Sequence, residues 1–313
     1  SLAHTQKPDE AIGIFLSAIT FYPELEDYIR FHLAGGLLSS EKHTEALEQI
    51  NILHKNFPKT LLLIRSEILL AKILEKGEKI EDAFSVLSES EKRLSGFSKT
   101  SRPRSYLPKI IFYQGQLYQQ TGENNEAYNR YRLLHIAYPT NKLTKQAKIE
   151  MNKLAKKPNI IIKPLTIDEH AQRMSELLSD VRYQQVVIVI TELFKNKPLL
   201  PGRFYFYLAQ AQKGLRKRNL ANAALRKFLK HYPQHTRVQE ALFTIGRNLW
   251  NTGHYRDGLK YFKKSIEKAP SSSLANQARF FIGKMHEEKK QYSQAIKHYS
   301  ILIKQFEADE FSE

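Results

Sequence analysis

The sequence predicts an all-α fold in which pairs of antiparallel helices repeat and stack into a right-handed superhelix, an α-solenoid in two halves. The first observation behind this prediction is a set of columns of like residues that recur every 37 positions in the last third of the chain. The columns are Ala209, Gly246 and Gly283, then Ala221, Gly258 and Ala295, and then Leu225, Phe262 and Tyr299.

The second observation is a fixed spacing to a closing proline, which extends the repeat to the earlier part of the chain. A small residue stands 24 positions before a proline in four units: Ala34/Pro58, Gly115/Pro139, Ala209/Pro233 and Gly246/Pro270. Another stands 12 positions before it in five: Ala11/Pro23, Ala46/Pro58, Ala127/Pro139, Ala221/Pro233 and Gly258/Pro270. The two spacings together indicate one repeated helix–turn–helix unit.

The residue types explain how such a unit forms. A small residue in mid-helix allows the paired helix to approach closely, and apolar residues at helical spacing fill the seam between the two helices. Gly122 and Gly253 are expected to form turns, because glycine tolerates a positive φ. A proline after each second helix ends it, and the aromatic residue before that proline is expected to close the seam.

These signals place every element along the chain. Helix 8–21 is expected to be the second half of an eighth pair, and an additional helix is expected at about 142–155. Seven complete pairs are predicted at 24–57, 61–94, 108–139, 166–197, 202–232, 239–269 and 276–306. Since the chain starts inside a repeat and stops where another first helix is expected, we expect it to be a fragment.

Two linkers interrupt the pairs, at Ser95–Pro108 and Lys156–Thr166. Within the second, Ile160–Ile162 is predicted to be a short strand or an extended strap. This linker is the predicted boundary between residues 1–156, the N-terminal helical repeats with the additional helix at their end, and residues 157–313, the C-terminal repeats.

Composition excludes several kinds of chemistry. The chain of 313 residues holds no cysteine, which rules out disulfides, thiolate zinc sites and cysteine nucleophiles. Its net charge is +17, and residues 157–313 carry 27 basic and 14 acidic residues against 22 and 18 in residues 1–156. This charge favours an anionic partner such as nucleic acid, a lipid surface or peptidoglycan. No apolar run approaches the roughly 20 residues that span a bilayer.

No motif for catalysis, metal binding or cofactor binding stands out. The eleven histidines form no HExxH motif or three-ligand cluster, and Gly35-Gly36 lacks the lysine and hydroxyl residue of a phosphate-binding loop. No GxSxG motif is present. The sequence therefore predicts no catalytic residue, no metal ligand and no cofactor in this chain.

The predicted binding surface is the concave face, which the first helix of each pair should line. An aromatic row at Phe206, Phe243 and Phe280 and a polar row one turn later could together stack on rings and bind anions. The alternative is that these phenylalanines pack between repeats and that the cations are only solvated. The candidate residues are Arg203, Phe206, Gln210, Lys213, Phe243, Arg247, Trp250, Phe280 and Lys284.

The densest basic run, Lys213–Lys230, could contact nucleic acid, but it has no interleaved aromatic residues and no known binding motif. A solvated surface is the simpler interpretation. Nucleic acid is therefore the least favoured of the anionic partners.

The repeats resemble tetratricopeptide repeats, whose unit is about 34 residues. Three stretches also resemble the non-catalytic superhelical region of soluble lytic murein transglycosylases. They are Tyr22–Tyr28 with Phe31–Ala34, Ala46 to Ala71 with the Phe57-Pro58 corner, and Ala278–Lys284 with Tyr292–Tyr299. This resemblance implies a periplasmic scaffold that holds peptidoglycan near a downstream catalytic domain of the same protein. The Glu-Ser motif of that domain is absent from residues 1–313, so no catalytic residue is implied here.

Three functions follow from these observations. The first is the superhelical scaffold of a peptidoglycan lytic transglycosylase that acts in cell-wall turnover. The second is an adaptor that binds a protein or peptide in its concave groove, and the third is a nucleic-acid-binding solenoid.

Overall fold

The computed structural model of the protein describes the backbone of residues 8–98 and 101–310 and the side chains of 10–98 and 101–304. All the regular secondary structure of this described part is helical. Short 3₁₀ turns lie at Pro23–Leu25 and Pro103–Tyr106. The α-helices are α1 (Pro8–Phe21), α2 (Glu26–Ser39), α3 (His43–Asn56), α4 (Leu63–Lys76), α5 (Ile80–Ser95), α6 (Leu107–Gln120), α7 (Asn124–Ala137), α8 (Lys142–Leu154), α9 (Ile167–Ser179), α10 (Tyr183–Asn196), α11 (Gly202–Gly214), α12 (Arg218–His231), α13 (Val238–Trp250), α14 (Tyr255–Lys268), α15 (Ser273–Glu288) and α16 (Tyr292–Glu310).

All seven predicted helix pairs are present, and the all-α repeat fold is confirmed. In each pair we term the earlier helix the first helix (α2, α4, α6, α9, α11, α13 and α15) and the later one the second helix. Helix α1 stands alone before the first pair, and α8 follows the third pair, as predicted. Consecutive helices pack against each other within α1–α8 and within α9–α16. None of the helices in the described residues is long and apolar enough to cross a bilayer.

The chain divides into two compact units, 1–164 and 165–313, which we term the N-terminal and C-terminal units. The division falls eight residues after the predicted boundary at 156/157. The core of the N-terminal unit includes Leu87, Leu117 and Leu134, all completely buried. In the C-terminal unit, Leu225 and Phe228 occupy the corresponding interior of the α11–α14 region.

The turns inside the seven pairs share one backbone conformation. Each contains a residue with positive φ, and at Gly122 and Gly253 this residue is the predicted glycine, with φ of 83° and 79°. In six of the seven turns, all except that at Gly122, the amide of the next residue donates to a carbonyl five residues earlier, as in Arg182 N–H to Leu177 O at 2.8 Å. The other five turns place a non-glycine residue there: Glu41, Glu78, Val181, Arg216 and Lys290.

The seam inside each pair depends on the predicted small residues. A methyl group built on Gly115 would lie 2.6 Å from the ring of Tyr131, and one on Gly283 would lie 2.5 Å from the ring of Tyr299. Real Cβ atoms do not approach a ring so closely, so the absence of a side chain is what admits the ring. The prediction that small residues permit close approach is therefore confirmed at these positions.

The prolines close the second helices as predicted. Helices α3, α7 and α12 each end one residue before the aromatic residue that precedes proline. A residue before proline is disfavoured in helical geometry, which explains this stop. Tyr232 also donates a hydrogen bond from its hydroxyl to the carbonyl of Leu200, at 2.8 Å, and its ring stacks on Phe228.

The second linker is an extended strap and not a strand. Its backbone is held by α7: the amide of Ile161 donates to Asn125 Oδ1 at 2.9 Å, and Asn125 Nδ2 donates to the carbonyl of Asn159 at 3.1 Å. Arg132 also donates to the carbonyl of Pro164. These bonds tie the strap to the N-terminal unit.

Candidate functional site

The residues predicted from the sequence lie on three first helices of the C-terminal unit. Helix α11 carries four of them, α13 carries three and α15 carries two. They are Arg203, Phe206, Gln210 and Lys213, then Phe243, Arg247 and Trp250, and then Phe280 and Lys284.

The aromatic row does not form a continuous exposed surface. Phe206 is buried between the ring of Phe228 and the guanidinium of Arg237, whose central carbon lies 3.6 Å from the Phe206 ring centroid. Phe243 is buried against Phe262. Phe280 alone of the three is exposed, to 48%. Two of the three rings thus pack between helices, which is the alternative that the sequence left open.

The polar row, which consists of Gln210, Arg247 and Lys284 one turn after the phenylalanines, is exposed. Lys213, Arg247 and Lys284 lie at the surface and form no ion pair with any described residue. Gln210 is also exposed. Arg203 differs from them because its guanidinium pairs with the carboxylate of Asp168, on the preceding first helix.

Trp250 lies half-buried beside this polar row. Its ring contacts Tyr255 and Phe281, at centroid distances of 4.8 and 5.4 Å. The indole is therefore a packing residue at the surface, and the assignment of these nine residues to ligand binding stays a prediction.

Two cavities lie in the N-terminal unit, where the sequence did not suggest a site. A cavity of about 560 Å³ crosses the first helices α2, α4 and α6. A second cavity of about 350 Å³ lies between α6 and α8, and Gln116 and Gln120 line both. The two cavities therefore form one continuous groove, which we term the N-terminal groove. Other side chains that line it are Leu38, Ser39, Glu41, His43, Lys72, Glu75, Lys76, Phe112, Tyr113, Gln119, Tyr131, Gln146 and Glu150.

Lys72 lines the groove, and three cations that do not line it, Arg65, Lys109 and Lys142, interact with Lys72 or with one another electrostatically. Arg65 and Lys72 lie on α4, Lys109 lies on α6, and Lys142 begins α8. Burial lowers the pKa of Lys109, and the positive charges of Lys72, Arg65 and Lys142 lower it further. Lys72, Arg65 and Lys142 are therefore close enough to repel Lys109, and none of the four forms an ion pair with a described residue.

Three acids line the groove: Glu41, Glu75 and Glu150. Glu75 accepts a hydrogen bond from the Tyr113 hydroxyl at 2.5 Å, and burial together with this carboxylate raises the pKa of Tyr113. Glu150 accepts from Lys153 at 2.8 Å and from Gln119 at 3.3 Å. Glu75 and Glu150 therefore have hydrogen-bond partners, whereas Glu41 is exposed and forms no ion pair with a described residue.

Three amides in the groove keep their hydrogen-bonding capacity. Gln116, Gln120 and Gln146 are exposed, and their side chains bond to no described residue. Each carboxamide can donate two hydrogen bonds and accept two. The groove thus combines charged side chains of both signs with unoccupied amide donors and acceptors.

A positional signal for this groove exists in the sequence. In the C-terminal unit, the polar row follows directly after the column of small residues, as in Gly246 and Arg247. The same rule selects Lys72 after Ala71 and Gln116 after Gly115. This signal is hard to see in residues 1–156, because the early repeats are irregularly separated and the net charge of this part is small.

Metal binding has no support in the geometry. The described residues contain no group of three or more histidine or carboxylate side chains that could hold a metal ion.

Known protein families match two parts of the C-terminal unit. Two family models of the tetratricopeptide repeat match residues 204–235 and 243–310. No curated protein sequence matches the chain.

Among solved structures, a tetratricopeptide repeat protein from Parabacteroides merdae is similar at 12% identity, with 90% of this chain and 93% of that chain covered and a TM-score of 0.35. The TPR2AB domain of yeast Sti1 in complex with pHSP90 is 17% identical, with 87% and 99% covered and a TM-score of 0.34. A Rap protein in complex with competence and sporulation factor is 14% identical, with 90% and 76% covered and a TM-score of 0.37.

The family models fall on the helix pairs α11–α12 and α13–α16, whose turns and small-residue seams recur in the pairs that no model covers. Such repeats build protein-interaction scaffolds, and their fold is typically non-catalytic. The chain is a tetratricopeptide-like, all-helical repeat protein.

Proposed function

We propose that this protein is a non-catalytic interaction scaffold whose N-terminal groove binds an acidic segment of a partner protein. The observation that carries the proposal is the repulsion of Lys109 by Arg65, Lys72 and Lys142, while none of these four cations forms an ion pair with a described residue. A bound carboxylate would relieve this repulsion, and the partly desolvated position of Lys109 would strengthen the attraction.

The glutamines of the groove suit a polypeptide in particular. An extended peptide presents alternating N–H and C=O groups, and a carboxamide can bind one of each. Gln116 and Gln120 stand one helical turn apart on α6, so both amides face the same stretch of groove. A simple anion would need only the cations, whereas a peptide would use both kinds of group.

The test compares two synthetic probes with the same length and backbone. A fluorescent peptide of alternating Glu and Gly should bind, and the matching Gln–Gly peptide should bind much more weakly. The double variant Lys72→Glu/Lys109→Glu should weaken binding of the acidic peptide at least about tenfold, which corresponds to about 1.4 kcal/mol. Fluorescence anisotropy at low and high salt measures both effects, and salt should weaken the acidic complex.

The matched control is Lys227→Glu/Lys264→Glu, which makes the same charge change at two exposed lysines of the C-terminal unit. This variant should bind the acidic peptide nearly as well as the wild type. Equal losses in the two double variants would mean that only net charge matters and would reject the groove as the site.

A second candidate is the scaffold of a periplasmic lytic transglycosylase, in which the C-terminal unit holds anionic peptidoglycan near a downstream catalytic domain. The resemblance of Tyr22–Ala34 and Ala278–Tyr299 to that family suggests it. One structural observation favours an anionic polymer there: the exposed basic residues on α12 and α14 form no ion pair with described residues, apart from Lys260 with Asp257. These residues are Arg226, Lys227, Lys230, Arg256, Lys263, Lys264 and Lys268.

Peptidoglycan sacculi distinguish the two candidates. If the second candidate holds, the protein should co-sediment with sacculi at low salt and be released at high salt. The Lys227→Glu/Lys264→Glu variant should then lose this retention, whereas Lys72→Glu/Lys109→Glu should keep it. Wild-type protein that stays in the supernatant at low salt would reject peptidoglycan as the ligand.

A further inference from the structure

The two glycines of α2, Gly35 and Gly36, have different surroundings. A methyl group built on Gly36 would lie 3.7 Å from the Ile12 side chain of α1, so this glycine faces the neighbouring helix. A methyl group built on Gly35 would meet nothing within 4 Å. The space beside Gly35 is therefore open, and the packing of α2 on α1 does not use it.

The repeat places Gly35 on the wall of the N-terminal groove. It directly follows the column of small residues, as Lys72 does in α4 and Gln116 does in α6, and both of these side chains line the groove. Leu38 and Ser39, one turn after Gly35 on α2, line it too. The equivalent residues of the C-terminal unit are also long and polar: Gln210, Arg247 and Lys284. At Gly35 the groove therefore lacks a side chain that the equivalent positions carry.

Two apolar side chains and a guanidinium border this open space. Phe31 and Leu38 lie one turn before and one turn after Gly35 on the same face of α2, and both are half-buried. The guanidinium carbon of Arg65, on α4, lies 4.8 Å from the centroid of the Phe31 ring. A guanidinium is planar and can stack on aromatic rings. Since Arg65 is exposed, it can stack on a second ring beside Phe31.

We propose, on the basis of the function proposed for the groove, that the open space at Gly35 is a subsite for one aromatic side chain of the bound acidic segment. We term it the Gly35 subsite. The ring fills the space over Gly35, covers Phe31 and Leu38 and stacks on Arg65. Burial of its apolar surface and its attraction to the guanidinium both favour this position. An aliphatic side chain of the same size gains only the burial, because it has no π-system.

The place of the subsite in the groove determines where the aromatic residue belongs in the partner. The groove crosses α2, α4, α6 and α8 in this order, so the Gly35 subsite lies at one end of it. Adjacent packed helices lie about 8 to 10 Å apart, and an extended chain covers about 3.3 Å per residue. The ring therefore lies about three residues from a carboxylate bound at Lys72, and about eight residues span the four helices. The aromatic residue belongs at one end of the acidic stretch.

The experiment extends the alternating Glu–Gly peptide by one phenylalanine, at the amino end in one probe and at the carboxyl end in another. Fluorescence anisotropy with the full chain measures the Kd of each probe. One of the two should bind about tenfold more tightly than the Glu–Gly peptide, because only one chain direction brings the ring to α2. The same probe with cyclohexylalanine in place of phenylalanine should show a smaller gain, since the ring then lacks its π-system.

Two variants remove the subsite without changing the charge of the protein. Gly35→Gln fills the open space with the side chain that α6 carries at this position, so it should abolish the gain from phenylalanine. Arg65→Lys keeps the charge but loses the planar guanidinium, and it should reduce the gain. Both should bind the plain Glu–Gly peptide as the wild type does. The control Gly13→Gln, at an exposed glycine of α1 where a methyl group would also meet nothing within 4 Å, should keep the full gain.

The plain peptide separates a failure of the subsite from a failure of the groove. If the Glu–Gly peptide does not bind, the groove is rejected and the subsite with it. If that peptide binds but phenylalanine adds nothing, adds equally at both ends, or keeps its gain in Gly35→Gln, only the subsite is rejected. Equal gains from phenylalanine and cyclohexylalanine would overturn the assignment of an aromatic ligand.

Discussion

The ring of Phe262 lies directly against the backbone of Gly246 in the preceding helix. A methyl group built on Gly246 would lie 2.8 Å from two carbons of that ring. Phe262 is completely buried and stacks on Phe281, so it has no free space into which to move. Gly246 belongs to the column of small residues on which the prediction of the repeat depends. A side chain at this position should therefore destabilise the fold.

Gly246→Ala should lower the free energy of unfolding by about 1 to 3 kcal/mol, because overpacking forces the ring or the helix to shift. Urea denaturation followed by circular dichroism measures the change. The control is Gly35→Ala, at a helical glycine where a methyl group would meet nothing within 4 Å. It should stabilise by about 0.5 to 1 kcal/mol, since alanine favours helix.

A second substitution tests the cause of this loss. The columns contain Ala209 with Leu225 where they later contain Gly246 with Phe262. Gly246→Ala should therefore cost less when Phe262→Leu is already present. If the cost of the alanine is the same in both backgrounds, the ring contact does not explain it.

The turn between α9 and α10 contains a strained residue. Val181 has a φ of 59°, a conformation that is unfavourable for a β-branched side chain. Val181→Gly should raise the free energy of unfolding by about 1 kcal/mol, as relief of the left-handed conformation outweighs the added freedom of the unfolded chain. The reverse change at an equivalent turn, Gly253→Val, should destabilise. A loss of stability in Val181→Gly would contradict this account.

Stability should depend on pH through histidines. Burial lowers the pKa of His54, where Nε2 bonds Ser66 Oγ at 2.7 Å. Burial also lowers the pKa of His298, and the stacked ring of His286 adds to this effect. A lowered pKa means that the unfolded chain binds protons more readily than the folded chain. Folded stability is therefore complete above the ordinary value of 6.5 and decreases as the pH falls below it.

Urea denaturation at about pH 7.5 and about pH 5.5 measures this dependence. The variant His54→Gln/His298→Gln should show a smaller loss of stability between the two values, because it lacks both titrating groups. His43→Gln, at a histidine on the rim of the N-terminal groove, is the control. A variant that loses as much stability as the wild type would exclude these two histidines as the cause.

The strap depends on one asparagine of α7. Asn125→Ala removes both the acceptor for the Ile161 amide and the donor to the Asn159 carbonyl. Hydrogen exchange at Ile161 should become faster, and thermolysin, which cuts on the amino side of isoleucine, should cleave at Ile160–Ile162 sooner than in the wild type, because the segment opens locally. Asn129→Ala, at an exposed position one turn later on the same helix, should leave both rates unchanged. Unchanged protection of Ile161 in Asn125→Ala would show that other contacts hold the strap.

Local signals in the sequence were sufficient to predict the helix pairs. The alternation of apolar and polar residues, the small-residue columns and the closing prolines all act within one helix or its immediate neighbour. They therefore located α1 and the additional helix α8 as well as the seven pairs. The two predicted turn glycines account for only two of the seven turns. Val181 and four other non-glycine residues adopt the same positive φ, which their residue type does not predict.

The candidate sites were less accessible from the sequence. Phe206, Phe243 and Phe280 occupy one column, yet Arg237 and Phe228 cover the first, Phe262 covers the second, and the third is open. A column records which residues are equivalent in the repeat. It does not record what packs against each of them from the neighbouring repeat.

The sequence by itself determined an all-α repeat protein without cysteine chemistry, with strong positive charge and with the boundaries of nearly every helix. Only the tertiary structure showed that Lys109 approaches Lys72 and Lys142 and that Gln116 and Gln120 lie in a groove. It also showed that Leu259 is covered whereas the equivalent Ile296 is exposed. The physical reason is distance along the chain: helix formation depends on residues three or four apart, whereas a site depends on contacts between helices more than 30 residues apart.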